Sequence, residues 1–173
     1  MIFNMNKRRQ RQLRAAEGYL SLGMPDHALE ALTQVAEPGD DAFECSLLRG
    51  NALQAKRDHH QALIFFQQAQ ALNPGSLEAL LGMAWCFKRI DRLDQSINSM
   101  RLAYESHPTV PLVLYNLACY YSLAGQKEQA LSWLGRALRM NRSFGKLVPA
   151  ETDFDPLRSD PDFQHLLELS AED

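Results

Sequence analysis

Apolar residues recur along this chain at intervals of three and four, the spacing of helices that bury one face. Polar and turn-forming clusters such as GMPDHA, the Asn73–Pro74 and His107–Pro108 pairs, and AGQKEQA interrupt the pattern. The stretches between them are rich in Ala, Leu, Gln, Glu and Arg, which are good helix formers. Helices are therefore predicted over 9–22, 25–37, 43–56, 59–72, 76–90, 93–106, 111–124 and 127–140, with a further helix from about 161. A residue before proline is pushed out of the helical region, which ends helices at Asn73 and His107. Gly23 and Gly125 suit left-handed helix ends, and Asp160 with Pro161 reads as an N-cap and first helical position.

The apolar pattern itself repeats every 34 residues. Ala16, Gly50, Ala84 and Ala118 form one series, and Ala28, Ala62, Ser96 and Ala130 a second. Tyr19, Leu53, Phe87 and Tyr121 keep the same step, as do Leu32, Phe66, Met100 and Leu134, and then Val35, Ala69, Ala103 and Ala137. Small residues on both helices of a pair let the backbones approach, and the large apolar series fill the space beside the crossing. No pair can bury its own faces, so stacked neighbours supply the core.

With this period, these small and large positions, and Pro74 and Pro108 at the repeat ends, the chain resembles the tetratricopeptide repeat family. The resemblance implies an all-α fold, a right-handed superhelical solenoid of antiparallel helix pairs in a single domain. Four repeats are expected at 9–42, 43–76, 77–110 and 111–144. They would be preceded by a frayed basic segment (1–8) and followed by an acidic C-terminal cap (145–173). Gln12, Asp40, Ser46 and Arg49 depart from the family pattern in the first two repeats.

In the family, ligands lie in a concave groove lined by the first helix of each pair. Carried onto this chain, the groove residues are Leu13, Leu20, Leu47, Leu48, Asn51, Leu81, Trp85, Leu112, Tyr115, Asn116 and Leu123. The resemblance implies that Asn51 and Asn116 pair with a ligand's backbone amide. An exposed apolar strip of this size marks an interaction site, and Trp85 with Tyr115 is the expected anchor pair. The alternative reading is that the chain's own ends or a second copy cover the strip. Of the clamp positions that recognise a C-terminal carboxylate in related chaperone binders, only Asn51 carries the expected residue.

Composition adds exclusions. Hydrophobic residues make up 46% and charged residues 23%, a globular balance. No stretch reaches the roughly 18 apolar residues of a membrane span. Residues 1–14 hold five basic side chains and no acid, whereas 151–173 hold eight acids against Arg158, under a net charge of −3. Without interleaved aromatics, the basic run is a poor footprint for nucleic acid. Three separated cysteines, Cys45, Cys86 and Cys119, fit buried reduced thiols in a cytoplasmic protein better than disulfides or a zinc site. The histidines and the aspartates at 153, 155, 160 and 162 lack metal-ligand spacing, so no metal or cofactor is expected. No nucleophile or phosphate-loop motif is present, so the chain is not expected to be an enzyme.

These features point to an adaptor that binds an apolar or amphipathic segment of another protein. The alternatives are a chaperone for an apolar secreted effector or translocator, and a self-assembling scaffold. The DPLR–DPDF ending is similar to tails of repeat arrays in bacterial proteins.

Overall fold

The computed structural model describes residues 2–35 and 39–171, with side chains from Lys7 to Ser170 and residues 36–38 left out. Nine α-helices and four short 3₁₀ turns account for the described secondary structure, and no strand is present among those residues. The helices are α1 (Ile2–Ser21), α2 (Pro25–Thr33), α3 (Ala42–Ala55), α4 (His59–Leu72) and α5 (Leu77–Arg89), then α6 (Leu93–Ser106), α7 (Pro111–Leu123), α8 (Lys127–Met140) and α9 (Pro161–Ala171). The chain divides into two compact units, Met1–Ile90 and Asp91–Asp173. The division falls between the helices expected to form the third pair.

The first unit holds α1–α5. At the crossings Ala16, Ala28, Ala62 and Ala84 are fully buried and Gly50 is buried. Leu13, Leu32, Cys45 and Leu48 form one core between α1, α2 and α3, and Leu47, Leu63, Phe66, Cys86 and Phe87 form the next. Phe66 is the wedge of that second core. A Cβ at Gly50 would meet its ring at 2.8 Å, and one at Gly82 would meet it at 2.6 Å. Both glycines therefore exist to admit one aromatic ring between α3 and α5. Asp58 caps α4 by accepting from Gln61 N–H at 3.1 Å, and Ser76 caps α5 through Ala79 N–H at 3.2 Å.

Two ends of this unit differ from the sequence expectation. Helix α1 begins at Ile2, seven residues before the predicted start at residue 9. The following turn of the helix is tied down at Asp41, which pairs with Arg9 and accepts from Gln10 Nε2 at 2.9 Å. Helix α2 ends at Thr33, because Gln34 and Val35 donate back only three residues, to Ala31 and Leu32, and tighten the last turn. Residues 36 and 37 of the expected helix lie outside the described residues.

The second unit holds α6–α9. Ser96, Met100, Ala103, Ala118, Ala130, Leu134 and Ala137 are fully buried, as their 34-residue series requires. Beyond α8, three 3₁₀ turns (142–146, 148–150 and 152–157) build the segment that precedes α9. They fold the segment back so that Val148, Phe154 and Leu157 are buried, and the 152–157 turn packs on α7. Helix α9 starts at Pro161 as expected, with Asp160 Oδ1 accepting from Asp162 N–H at 2.9 Å and Phe163 N–H at 3.3 Å. Lys127 at the start of α8 pairs with Asp160 at 2.6 Å and Asp162 at 2.7 Å, which fastens α9 to α8.

Left-handed residues close the turn at Gly23, Arg57, Asp91 and Gly125, each 34 residues from the last, with φ of 70°, 62°, 58° and 68°. Two of these positions hold side chains that the left-handed region disfavours. Arg57→Gly is therefore expected to raise stability by up to about 1 kcal/mol. Gly82→Ala should lower it by about 1–3 kcal/mol despite the better helix former, because the ring of Phe66 has nowhere to go. Urea unfolding of the two variants checks both signs, and Phe66→Leu should relieve the second.

Candidate functional site

In the first unit α1, α3 and α5 lie side by side. The open surface along these three helices is less apolar than the sequence suggests. Leu13 is fully buried, and Leu47 and Leu48 are 8% exposed each, because they pack between the helices. They are core residues and line no open groove. Leu20, Leu81 and Trp85 are half-buried, and Asn51 is exposed. Around them stand the exposed Arg14, Glu17, Ser21, Glu44, Glu78 and Arg89. The open surface is thus polar and charged, with one large aromatic side chain.

Trp85 is held by two neighbours. The imidazole of His59, at the start of α4, meets its indole edge-on at 4.9 Å, and the Arg89 guanidinium lies 4.9 Å from its ring centre one turn on. His59 Nδ1 is buried without a hydrogen-bond partner. Burial, and then the Arg89 charge, hold the His59 pKa below its ordinary value, so this imidazole is neutral at neutral pH. On the other side of the face, burial and the charges of Asp41 and Glu17 raise the Glu44 carboxyl, against Arg14. The face therefore offers a fixed indole, acids toward the start of α3 and α5, and bases at the end of α5. Such a surface can bind a peptide by stacking, hydrogen bonding and ion pairing.

The expected anchor pair does not survive in the second unit. Tyr115 is 5% exposed, stacked on Phe144 at 4.7 Å and edge-on to Phe154 at 5.8 Å. The segment after α8 covers it, as the self-covered alternative holds. Leu112 and Leu123 are exposed at 43% and 36%, and Asn116 is half-buried.

Three features escaped sequence reasoning. Arg136 lies over Trp133 and Tyr104, at 4.3 and 5.0 Å, and donates to the Tyr104 hydroxyl. An open pocket of about 370 Å³ on α1 and α2 is lined by Gln12, Ala15, Tyr19, His27, Glu30, Ala31 and Gln34. The 34-residue step gives the signal for that pocket: the counterpart of Ala15 is Arg49, which donates to the Leu32 carbonyl at 3.1 Å in stacking on α2. The third is the surroundings of Cys119, where Glu151 and Asp153 come from a segment more than thirty residues away in sequence.

Antiparallel helix pairs with small residues at each crossing, repeated at a constant step, define an all-α helical-repeat protein. Residues 112–144 match the tetratricopeptide repeat family model, and the chain has the fold of tetratricopeptide-repeat proteins. Solved structures agree. A crystal structure of MamA superposes with a TM-score of 0.72 at 19% identity, covering 80% of this chain and 81% of that one. MamA from Desulfovibrio magneticus RS-1 gives 0.73 at 17% identity, with 95% and 96% covered. PilF of Pseudomonas aeruginosa gives 0.79 at 16% identity, with 98% and 76% covered. No curated protein matches the sequence. The fold is one that typically serves as a non-catalytic protein-interaction module, and no helix among the described residues is long and apolar enough to cross a membrane.

Burial raises the phenol pKa of Tyr115 and Tyr120 well above the ordinary value of 10.0, with Cys119, Glu151 and Asp153 adding to the shift. In a spectrophotometric titration these two of the five tyrosines should stay protonated beyond pH 10 for as long as the chain stays folded. A raised folded pKa means stability is complete below about pH 10 and is lost as pH rises beyond it. Alkaline unfolding should therefore coincide with ionisation of Tyr115 and Tyr120.

Proposed function

We propose that the chain is a non-enzymatic adaptor that holds a peptide segment of a partner protein on the α1, α3 and α5 face. The observation that carries this reading is Trp85, half-buried on an otherwise polar face and fixed between His59 and Arg89. Large aromatics fixed in this way dominate binding energy. Asn51, exposed and one 34-residue step before Trp85, offers a side-chain amide that matches a peptide group as both donor and acceptor. The preferred ligand is amphipathic, with one apolar side chain for Trp85 and polar flanks for the charged positions, and is less apolar than the leucine series suggests.

This balance also bears on the alternatives. A chaperone for long apolar segments needs a wide apolar surface, and the burial of Leu13, Leu47, Leu48 and Tyr115 leaves it little. A self-assembling scaffold would show mass rising with concentration in light scattering. Three buried cysteines, none in a disulfide among the described residues, fit a reducing compartment such as the cytoplasm.

Trp85→Ala combined with Asn51→Ala is expected to cost about 2 kcal/mol or more in partner binding, roughly a thirtyfold loss. Quantitative affinity capture against the unaltered chain reads this loss, with circular dichroism confirming equal helicity. Undiminished capture by a folded double variant would falsify the assignment of the face.

A further inference from the structure

The segment after α8 brings metal-competent side chains onto one stripe of α7. One donor atom each from Cys119, Glu151 and Asp153 lies within 4.8 Å of the other two. Cys119 and Asp153 are 2% and 6% exposed, and Glu151 is half-buried. The turn that presents the acids is built: Glu151 Oε1 accepts from Asp153 N–H at 3.2 Å, and Arg158 Nη2 donates to the Glu151 carbonyl at 3.0 Å.

A second, independent observation comes from Tyr115, one helical turn before Cys119 on the same stripe. It is 95% buried between Phe144 and Phe154, and its hydroxyl has no hydrogen-bond partner. The neighbouring side chains that act on that hydroxyl are Cys119, Glu151 and Asp153. Ser122, one turn beyond Cys119, is fully buried and its Oγ is also without a partner. A buried hydroxyl without a partner is costly and therefore uncommon, and here two lie on the stripe of α7 that carries Cys119.

We propose that Cys119, Glu151 and Asp153 bind one divalent cation of the zinc type, which clamps the segment after α8 onto α7. Sulfur in the donor set selects a borderline-soft ion such as Zn²⁺ or Co²⁺ over Mg²⁺ and Ca²⁺, which take oxygen alone. Bonds of about 2.0–2.3 Å put tetrahedral donors roughly 3.3–3.5 Å apart, so side-chain rotation closes the set. Binding breaks the Cys119 S–H bond, forms a metal–sulfur bond and releases one proton to solvent. Three protein ligands leave a fourth position for water. The Tyr115 hydroxyl hydrogen-bonds to a ligand oxygen and thereby gains a partner. The site is independent of the α1, α3 and α5 face.

Chelator-treated full-length protein in reducing buffer should take up one Co²⁺ per chain with a thiolate-to-cobalt charge-transfer band. Zn²⁺ should displace it. Cys119→Ser should abolish the band, and Tyr115→Phe, which keeps the ring stacking, should weaken binding about tenfold. Native mass spectrometry of the unaltered chain with added Zn²⁺ supplies a readout that needs no variant, and one retained ion is expected. Absence of both the band and the retained ion, or a band that persists in Cys119→Ser, overturns the site.

Discussion

The close approach of paired helices at small residues is the constraint on which everything else depends. Alanine or serine at one crossing position, and alanine or glycine at the other, bring two backbones near enough for the large residues beside them to interlock. Fully buried Ala16 and Ala28 in the first pair, and Ala118 and Ala130 in the last, show the same solution. Phe66 extends it sideways, since Gly50 and Gly82 both give up a side chain to admit its ring. Ordering a residue costs about 1–2 kcal/mol of backbone entropy, so such contacts must recur along the whole array to leave any net stability.

That requirement also decides which residues remain for binding. Leucines at the fifth and sixth positions of the repeat are drawn inward wherever a neighbouring helix lies against them, as Leu13, Leu47 and Leu48 are. Only positions pointing away from the helix contacts stay open, and there the chain carries charges, Asn51 and Trp85. A partner would meet a polar surface with a single aromatic foothold, a composition that favours orientation and selectivity over bulk hydrophobic capture. In the second unit the corresponding face is occupied from within, by Phe144 and Phe154 on Tyr115. The tail acts there as a structural cap, held on its far side by Lys127 to Asp160 and Asp162.

Much of the fold was legible because periodicity reports directly on which side of a helix is buried. The starts of α4, α6, α7, α8 and α9 fall where the pattern puts them, and Gly23 and Gly125 take the left-handed conformation expected of them. Arg57 and Asp91 adopt the same conformation without the glycine that would have announced it. The candidate site was legible only in part. Trp85 and Asn51 were expected on this face from their positions, but exposure of Leu47 or Tyr115 could not be judged from a repeat register alone. The flanks of Trp85 were not legible, because His59 sits on the neighbouring helix and the repeat position of Arg89 does not state that its guanidinium lies over the indole.

The sequence by itself determined the helices, their 34-residue step and the small residues at each crossing, because these are local or periodic properties of the chain. Only the tertiary structure decided which apolar residues stay open, how the segment after α8 folds back, and that Cys119 meets Glu151 and Asp153. The physical reason is that burial depends on what arrives from elsewhere. Three short 3₁₀ turns with no apolar period carry Phe144, Glu151, Asp153 and Phe154 onto α7, and nothing in their local sequence states the destination.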